Sequence, residues 1–414
     1  MSANLKSYIQ KSMGFKKEVK PLLHETYSSS LIDWMKEHAF RLNVEPLTFY
    51  LAEEFGFCYG VDRAVELAYE SRKMFADKKI FLTSEIIHNP RVNAVLREKG
   101  IEFLSLNNEK LVEDNFKQIQ SDDVVIIPAF GTTTQELDKL RDIGCTLVDT
   151  TCGSVMNVWK RVSRYGKDGF TAVVHGKYDH EETRATCSRV TQYTHGQYLV
   201  VRDLEQARYV CRFILGEINK ETLLSYFSKE ALSPNFDPDR DLKKIGCANQ
   251  TTMLSSDSIE IADRIQEAMV KRYGRENIDQ HFRHFDTICS ATQERQDAVR
   301  KLIEQKMDLY LVIGGFNSSN TGHLVEMASE YGPAFHIQDP SDVISKDEIR
   351  HKLPYVKDIH ITRDWLPKGR VKIGVTAGAS SPNRVIEEVM KRVIEAAELR
   401  MPPFVSTALS EGKS

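Results

Sequence analysis

The sequence lacks any apolar run close to the roughly 20 residues that a helix needs to span a bilayer. It also lacks a basic surplus, and a net charge of −3 argues against a nucleic-acid-binding protein. The N-terminal segment has no apolar signal core, and Glu18 and Glu25 stand where a transit peptide is poor in acidic residues. We therefore expect a cytoplasmic protein with neither a membrane nor a nucleic-acid partner.

Cysteine is scarce and scattered in this chain. The seven cysteines are an odd number, spread over 414 residues with no secretion signal in front of them. A disulfide framework is therefore not expected, and a metal-binding or catalytic role is the better hypothesis for a cysteine in a distinctive setting.

The length of 414 residues predicts two or three domains. Short β-rich runs alternate with amphipathic helices, a pattern typical of βαβ units and mostly parallel sheets in an α/β fold. The expected strands are 79–84, 123–130, 170–176, 309–315 and 371–378. The expected domains are a helical N-terminal extension (1–50), three α/β domains (51–147, 148–284 with a polar insertion at 216–243, and 285–400) and a mobile tail (401–414).

One pattern occurs three times, a strand-to-helix junction that carries a cysteine. The copies are GFCYGVDRAVELAYESRK with Cys58, TTCGSVMNVWKRVSRYGK with Cys152, and TICSATQERQDAVRKLIEQK with Cys289. The first two share their apolar offsets after the cysteine, whereas the third has polar first turns with Thr292 and Arg295. A helix N-terminus favours the thiolate, which is the form that binds metals.

Three thiolates without a fourth indicate a centre with an open position. One interpretation is a zinc ion with three protein ligands and a water, as in a hydrolase or deaminase. The other is a [4Fe–4S] cluster in which one iron lacks a protein ligand and can bind substrate. The remaining cysteines lie in helices or apolar runs and are expected to be packing residues.

Other predicted strand ends carry polar side chains. The segments are SEIIHNPRV, VVHGKYDHEET, ANQTTML, GGFNSSNTGHL and TAGASSPNRV. Two of them run through glycine into a helix, an arrangement that presents N–H groups and hydroxyls to an anion. Taken singly, such residues are more often plain helix caps.

In this order along the chain, the motifs GFCYGVDRAVE, HNPRV, VDTTC, HGKYDHEET, NQTT, TICSATQERQ, GFNSSNT and GVTAGASSP resemble the LytB family of 4-hydroxy-3-methylbut-2-enyl diphosphate reductases. The resemblance runs from about Ala52 to Glu395. It implies a trefoil of three pseudo-threefold-related α/β domains around one central [4Fe–4S] cluster with a non-protein-ligated iron. The implied activity is the reductive dehydroxylation that ends the non-mevalonate isoprenoid pathway, giving isopentenyl and dimethylallyl diphosphate.

The resemblance also implies roles for single residues. Cys58, Cys152 and Cys289 match the cluster ligands, Glu182 matches the proton-delivering carboxylate, and Thr251 matches the hydroxyl beside the substrate alcohol. The positions that match diphosphate-binding residues are His88, His180, Ser318, Ser319, Asn320 and Ser380. Many bacterial members carry a histidine where this chain has Phe130, a change shared with the cyanobacterial and plant branch.

The implied partners are a small allylic diphosphate as substrate and a ferredoxin or flavodoxin as electron donor, since the sequence carries no flavin or nicotinamide fingerprint. A quinolinate synthase-like enzyme also uses three cysteines and an open iron, but the GFNSSN and HEET segments fit the reductase better. A zinc hydrolase and a cluster-based redox sensor are further alternatives. The sensor is disfavoured because no basic patch or helix-turn-helix pattern is present.

Overall fold

The computed structural model describes residues 8–105, 110–285, 287–354, 356 and 358–402. These residues divide into two compact units by their contacts. The first unit holds the described residues up to Lys11, then Phe75–Ile86 and Gly100–Cys289. The second unit holds Ser12–Met74, Ile87–Lys99 and the described residues from Ser290 onward.

The described part of the chain forms strands that are numbered here in chain order. They are β1 (Tyr8–Ile9), β2 (Arg41–Val44), β3 (Leu47–Leu51), β4 (Ile80–Leu82), β5 (Ile101–Phe103), β6 (Val124–Ile127), β7 (Thr146–Asp149), β8 (Thr171–His175), β9 (Tyr198–Val201), β10 (Ile245–Asn249), β11 (Phe282–His284), β12 (Leu309–Ile313), β13 (Ala334–Ile337), β14 (Glu348–Lys352), β15 (Ile359–Arg363) and β16 (Val371–Ala377).

Helices alternate with these strands. They are α1 (Lys16–Tyr27), α2 (Ser30–Glu37), α3 (Tyr59–Met74), α4 (Pro90–Glu98), α5 (Glu113–Phe116), α6 (Thr134–Ile143), α7 (Gly153–Lys167), α8 (Glu181–Val190), α9 (Leu204–Ile214), α10 (Lys220–Leu224), α11 (Pro238–Asp241), α12 (Ser255–Tyr273), α13 (Ile278–His281), α14 (Ser290–Glu304), α15 (Ser319–Ser329) and α16 (Asn383–Ala396), with short 3₁₀ helices at Lys229–Ala231, Arg275–Asn277 and Pro340–Asp342.

The first unit contains two sheets, and every strand pair in them is parallel. One has the order β1-β7-β6-β4-β5 and the other has the order β11-β10-β8-β9. The strands are nearly continuous apolar runs, as in the fully buried Val124–Ile127, because helices cover both faces of such sheets. Loops at the carboxyl ends of these strands therefore meet at one edge of each sheet.

The second unit contains one sheet of seven strands in the order β15-β14-β13-β12-β16-β3-β2. Its four central strands, β13, β12, β16 and β3, are parallel, and the outer strands β2, β14 and β15 pair antiparallel. The α/β fold with mostly parallel sheets is thus confirmed. The five strands expected from the sequence correspond to β4, β6, β8, β12 and β16.

The prediction that the N-terminal extension is helical is incomplete. The described residues 8–50 contain α1 and α2, but also β1, β2 and most of β3. The burial pattern of β2 and β3 alternates, with Leu42, Val44, Leu47, Phe49 and Leu51 facing the core. This period of two favours strands, which here extend the seven-stranded sheet of the second unit.

The other predicted segments have mixed outcomes. Within 216–243 the structure has short helices that are mostly exposed and anchored by Leu223, Phe227 and Leu242. The predicted tail lies outside the described residues except for 401 and 402. The division into three α/β domains stays a prediction. No helix in the described ranges is both long enough and apolar enough to cross a membrane.

A buried histidine in the second unit predicts an acid-sensitive fold. His336 on β13 is 3% exposed, and its Nε2–H donates to the Gly314 carbonyl at 3.0 Å. Burial, reinforced by the positive charge of Lys352, lowers the pKa of His336 to about 3. The unfolded chain takes up this proton near pH 6.5 and the folded chain does not, so stability is complete above that pH and declines below it.

We expect the free energy of unfolding to fall by up to about 1.4 kcal/mol per pH unit below pH 6 through His336 alone. Anaerobic urea titrations of the holoprotein between pH 7 and 5 measure the slope. His336→Gln keeps a donor for the Gly314 carbonyl but cannot bind the proton, so its slope should be shallower. The exposed His195→Gln is the matched control and should leave the slope unchanged; equal slopes in both variants would contradict the prediction.

Candidate active site

Each of the three repeated cysteines directly precedes a helix. Cys58 stands before α3, Cys152 is the N-terminal cap of α7, and Cys289 stands before α14. All three thiols are half-buried. The junctions predicted from the sequence are therefore present at all three positions, and each places a sulfur at the positive end of a helix dipole.

The other four cysteines have a different character. Burial raises the pKa of Cys145 and Cys211 to about 11, and it also raises the pKa of the fully enclosed Cys187 and Cys247. Such thiols stay protonated at neutral pH and are poor metal ligands. They are packing residues, in agreement with the prediction from their apolar surroundings.

A buried acid lies opposite a threonine in the first unit. Glu182, in the first turn of α8, is 3% exposed. Its Oε1 accepts a hydrogen bond from the Thr251 amide at 2.6 Å, and its Oε2 lies 3.0 Å from Thr251 Oγ1. The amide can only donate, so a proton on this carboxyl group sits on Oε2, where it faces the threonine hydroxyl.

His180 is the N-terminal cap of the same helix, α8. Its Nδ1 accepts a hydrogen bond from the Glu182 amide at 3.1 Å, so the neutral ring carries its proton on Nε2 and can donate from there. The Phe130 ring meets the imidazole edge-on, with 6.2 Å between ring centroids. Phe130 therefore contributes an apolar wall beside His180 where a histidine would contribute a polar one.

Backbone contacts connect this acid to two of the cysteines. The Cys289 amide lies 3.5 Å from the Thr251 carbonyl, at the long limit of a hydrogen bond. The Cys152 amide donates to the carbonyl of Ala129 at 2.8 Å, and Ala129 immediately precedes Phe130. The first unit thus brings the segments of Cys152, His180, Glu182, Thr251 and Cys289 together.

Gln250 belongs to this site and is absent from the prediction. It is 1% exposed, and its Oε1 accepts from the Lys177 amide and from Thr183 Oγ1, both at 3.1 Å. Its Nε2 donates to Thr252 Oγ1 at 2.9 Å. The side chain therefore ties the loop before α8 to the loop that carries Thr251. Its place in NQTT was the only signal in the sequence.

The second unit brings the other polar residues together at the carboxyl ends of β12 and β16. Ser318 caps α15, and its Oγ accepts from the Thr321 amide at 3.3 Å. Asn320 Oδ1 accepts from the Ala379 amide at 2.9 Å, and Ser380 Oγ donates to the His88 carbonyl at 3.2 Å. The segments of His88, Ser318, Ser319, Asn320 and Ser380 therefore lie side by side.

Two features make this cradle suitable for an anion. Asn320 is 3% exposed, and its buried Nδ2 finds no acceptor among the residues that the structure describes. The N-terminus of α15 adds the backbone N–H groups of its first turn. At Gly315, a Cβ would collide with the His88 carbonyl, so a side chain there would push the two segments apart.

The Cys58 loop is attached to the same cradle. The Cys58 amide donates to the Ala379 carbonyl at 3.3 Å. Arg295 on α14 is 3% exposed, and it donates to the Gly56 carbonyl from Nη2 at 2.7 Å and from Nε at 3.3 Å. The polar residues Thr292 and Arg295 of the third repeat are thus buried, although the apolar pattern of the helix is interrupted there. Through Arg295 the helix holds the neighbouring Gly56 loop.

Arg295→Met should destabilise the second unit by about 1–3 kcal/mol, because the buried Gly56 carbonyl then loses its donors. Urea titration of the holoprotein measures the change. Arg300→Met, on the same helix but half-exposed and paired with Asp297 at 2.7 Å, should change stability by less than about 1 kcal/mol. An equal loss in the free energy of unfolding in the two variants would contradict a specific stabilising role for the contact between Arg295 and the Gly56 carbonyl.

Across the described residues, no three His, Cys, Asp or Glu side chains form a group that could hold a single metal ion. The fold and the site define an α/β protein whose half-buried thiols, buried acid and anion cradle all lie at strand-to-helix junctions. This chain belongs to the LytB family, whose model, described as LytB protein, matches residues 49–394.

Curated relatives align with this chain over nearly its full length. The chain is 47% identical over 392 residues to the 4-hydroxy-3-methylbut-2-enyl diphosphate reductase of Gloeobacter violaceus, covering 94% of this chain and 93% of the relative. It is 45% identical over 388 residues to that of Gloeothece citriformis, covering 94% of each. The relatives are cyanobacterial, which confirms the branch indicated by the motifs.

Solved structures give the same result for the fold. A structure of (E)-4-hydroxy-3-methyl-but-2-enyl diphosphate reductase aligns with a TM-score of 0.50 and 27% identity, covering 84% of this chain and 99% of that one. The E-1-hydroxy-2-methyl-but-2-enyl-4-diphosphate reductase from Plasmodium falciparum aligns with a TM-score of 0.59 and 21% identity, covering 88% and 99%. The second likeness bears on the fold alone.

Proposed function

We propose that this protein reduces (E)-4-hydroxy-3-methylbut-2-enyl diphosphate to isopentenyl and dimethylallyl diphosphate, the last step of the non-mevalonate isoprenoid pathway. Membership of the LytB family and the names of its relatives support this substrate and reaction. The observation that carries the chemistry is the buried carboxyl of Glu182 facing the Thr251 hydroxyl, since the reaction must protonate a departing hydroxyl group.

The donor set fits the cluster that the family implies. Cys58, Cys152 and Cys289 are the three thiols at helix starts, whereas the remaining cysteines have pKa values raised by burial. We assign these three as the protein ligands of one [4Fe–4S] cluster with a non-protein-ligated iron. When bound, such a cluster supplies one-electron transfer and a Lewis-acidic iron for the substrate oxygen.

Neutral donors would bind the diphosphate. Asn320 Nδ2 is a buried donor with no acceptor in the part of the chain that the structure describes, and the N–H groups at the start of α15 lie beside it. The hydroxyl groups of Ser318, Ser319 and Ser380 and the imidazoles of His88 and His180 complete the proposed set. Hydrogen bonds to a charged phosphate are stronger than neutral ones, so this grip can fix the short carbon chain.

Glu182 would supply the proton for the leaving group. Protonated at Oε2, it donates to Thr251 Oγ1, whose own proton passes to the substrate hydroxyl. The C–O bond then breaks and the oxygen leaves as water. The allylic fragment gains two electrons and one further proton, which forms the new C–H bond. In all, two electrons and two protons enter for each water released.

Anaerobic turnover tests this function. The holoprotein, reduced with dithionite and methyl viologen, should convert the allylic diphosphate into both products, identified by mass spectrometry. Iron and acid-labile sulfide should be present in about equal amounts, as expected for a [4Fe–4S] cluster. One zinc with no sulfide would favour the hydrolase alternative. Consumption of dihydroxyacetone phosphate with iminoaspartate would favour a quinolinate synthase instead.

The two electrons must come from another protein, because the sequence carries no flavin or nicotinamide fingerprint. We propose a ferredoxin or flavodoxin in this role. Each delivers a single electron at a time, so two encounters are needed for each product molecule.

A further inference from the structure

A cavity of about 800 Å³ opens on the first unit beside helix α7. Its wall includes the cationic side chains of Arg141, Lys160, Arg164, Lys167 and Arg189. Lys160, Arg164 and Lys167 follow one another at spacings of four and three residues, so they share one face of α7. The opposite face of the helix is apolar and buried through Val155, Val158 and Val162.

The acidic groups that face these cations are occupied. Asp149 accepts hydrogen bonds from the Tyr8 hydroxyl and the Thr151 amide, and Asp168 pairs with Arg283 and Arg164. Asp138 pairs with Arg141 at 3.2 Å. Lys160 and Lys167 are exposed, and neither forms an ion pair within the described ranges. The cavity wall holds five cationic side chains against two acidic ones, Asp149 and Asp168, which leaves a local positive surplus on a chain whose net charge is −3.

Helix α7 links this surface to Cys152. Met156 lines the cavity, and its amide donates to the Cys152 carbonyl at 3.0 Å, so the wall begins one helical turn from the cysteine. At 1.5 Å per residue, Lys160 lies about 12 Å along the helix axis from Cys152 and Lys167 about 22 Å. The basic face is thus attached to a proposed cluster ligand by a continuous, packed helix.

We propose that the basic face of α7, made of Lys160, Arg164 and Lys167 with Arg141 at its side, is the docking surface for an acidic one-electron carrier protein. This inference rests on the proposed function, which needs two single electrons from outside. Exposed charges of one sign steer an oppositely charged partner and raise the association rate by about 10- to 1,000-fold, an effect that salt screens.

The test compares two double variants with the same change of charge. Lys160→Glu/Lys167→Glu reverses the proposed surface. Lys229→Glu/Lys271→Glu reverses two exposed lysines of the same unit outside the cavity. Each holoprotein is assayed with a reduced acidic [2Fe–2S] ferredoxin over a range of salt concentrations, and separately with dithionite-reduced methyl viologen. Calorimetry with the same ferredoxin measures its Kd.

We expect the surface variant to lose at least about 10-fold in kcat/KM for ferredoxin at low salt, with a raised Kd and a flattened salt dependence. Turnover with methyl viologen should stay unchanged, and the control variant should match the original protein in both assays. Unchanged ferredoxin kinetics, or an equal loss with methyl viologen, would overturn the docking surface. Failure of the proposed function would look different, since the unaltered chain would not turn over with methyl viologen.

Discussion

Glu182→Gln is expected to lose about 10²- to 10⁴-fold in turnover, the usual contribution of a positioned general acid. Glutamine keeps the shape of the side chain, and its amide oxygen can still accept from the Thr251 amide. Its NH₂ group can donate to Thr251 Oγ1 but cannot release a proton at neutral pH. The geometry of the pair, 2.6 and 3.0 Å in the structure, should therefore persist without its chemistry.

Single-turnover kinetics under anaerobic conditions separate this effect from binding. The Kd for substrate and the cluster absorption should match those of the unaltered protein, so that the loss lies in the chemical step. Asp179→Asn is the control, because Asp179 is an exposed carboxylate in the loop that leads into α8. A Glu182→Gln variant with near-normal rates would mean that the proton reaches the leaving group by another route.

Cys152→Ser should remove or degrade the cluster and with it essentially all turnover. Serine preserves the size of the side chain but is a much poorer ligand for iron than a thiolate, which the helix N-terminus favours at this position. The conformation of the loop should persist, because the hydrogen bond from the Cys152 backbone amide to the Ala129 carbonyl does not involve the sulfur.

Iron and sulfide analysis, together with electron paramagnetic resonance of the reduced protein, checks this result. Cys187→Ala is the matched control from the same unit: its thiol is buried and its pKa is raised, so the cluster signal should be retained. An unaltered cluster in Cys152→Ser would remove Cys152 from the proposed ligand set. A lost cluster in Cys187→Ala would point instead to general damage of the unit.

Much of the fold was predictable because local patterns agree with the tertiary structure. Apolar runs between turn signals became the central strands, and the helix after each repeated cysteine begins at the very next residue. The N-terminal extension was less predictable. Its helices α1 and α2 favour a helical prediction for the whole segment, although the apolar alternation of β2 and β3 indicates strands. The sheet partner of β3 is the distant parallel strand β16, which local sequence patterns do not identify.

The candidate site divides in the same way. The resemblance of the motifs to the LytB family pointed to Glu182, Thr251, Asn320 and Ser380, whereas Gln250 gave no independent signal. Its importance comes from three hydrogen bonds to residues between 2 and 73 positions away. Arg295 is similar, since a cation near the start of a helix predicts exposure, and only the tertiary structure places the Gly56 carbonyl, 239 positions away, beside it.

By itself the sequence determined the kind of chemistry this protein can carry, because thiols, carboxyl groups and hydroxyls at strand-to-helix junctions follow from local periodicity and residue type. Only the tertiary structure decided which of these groups meet. The Glu182 carboxyl group faces Thr251, the Asn320 Nδ2 donor has no acceptor among the described residues, and the cations of α7 gather at one surface. Such pairings depend on chain segments far apart in sequence. Burial strengthens each hydrogen bond and raises the free-energy cost of each polar group left without one.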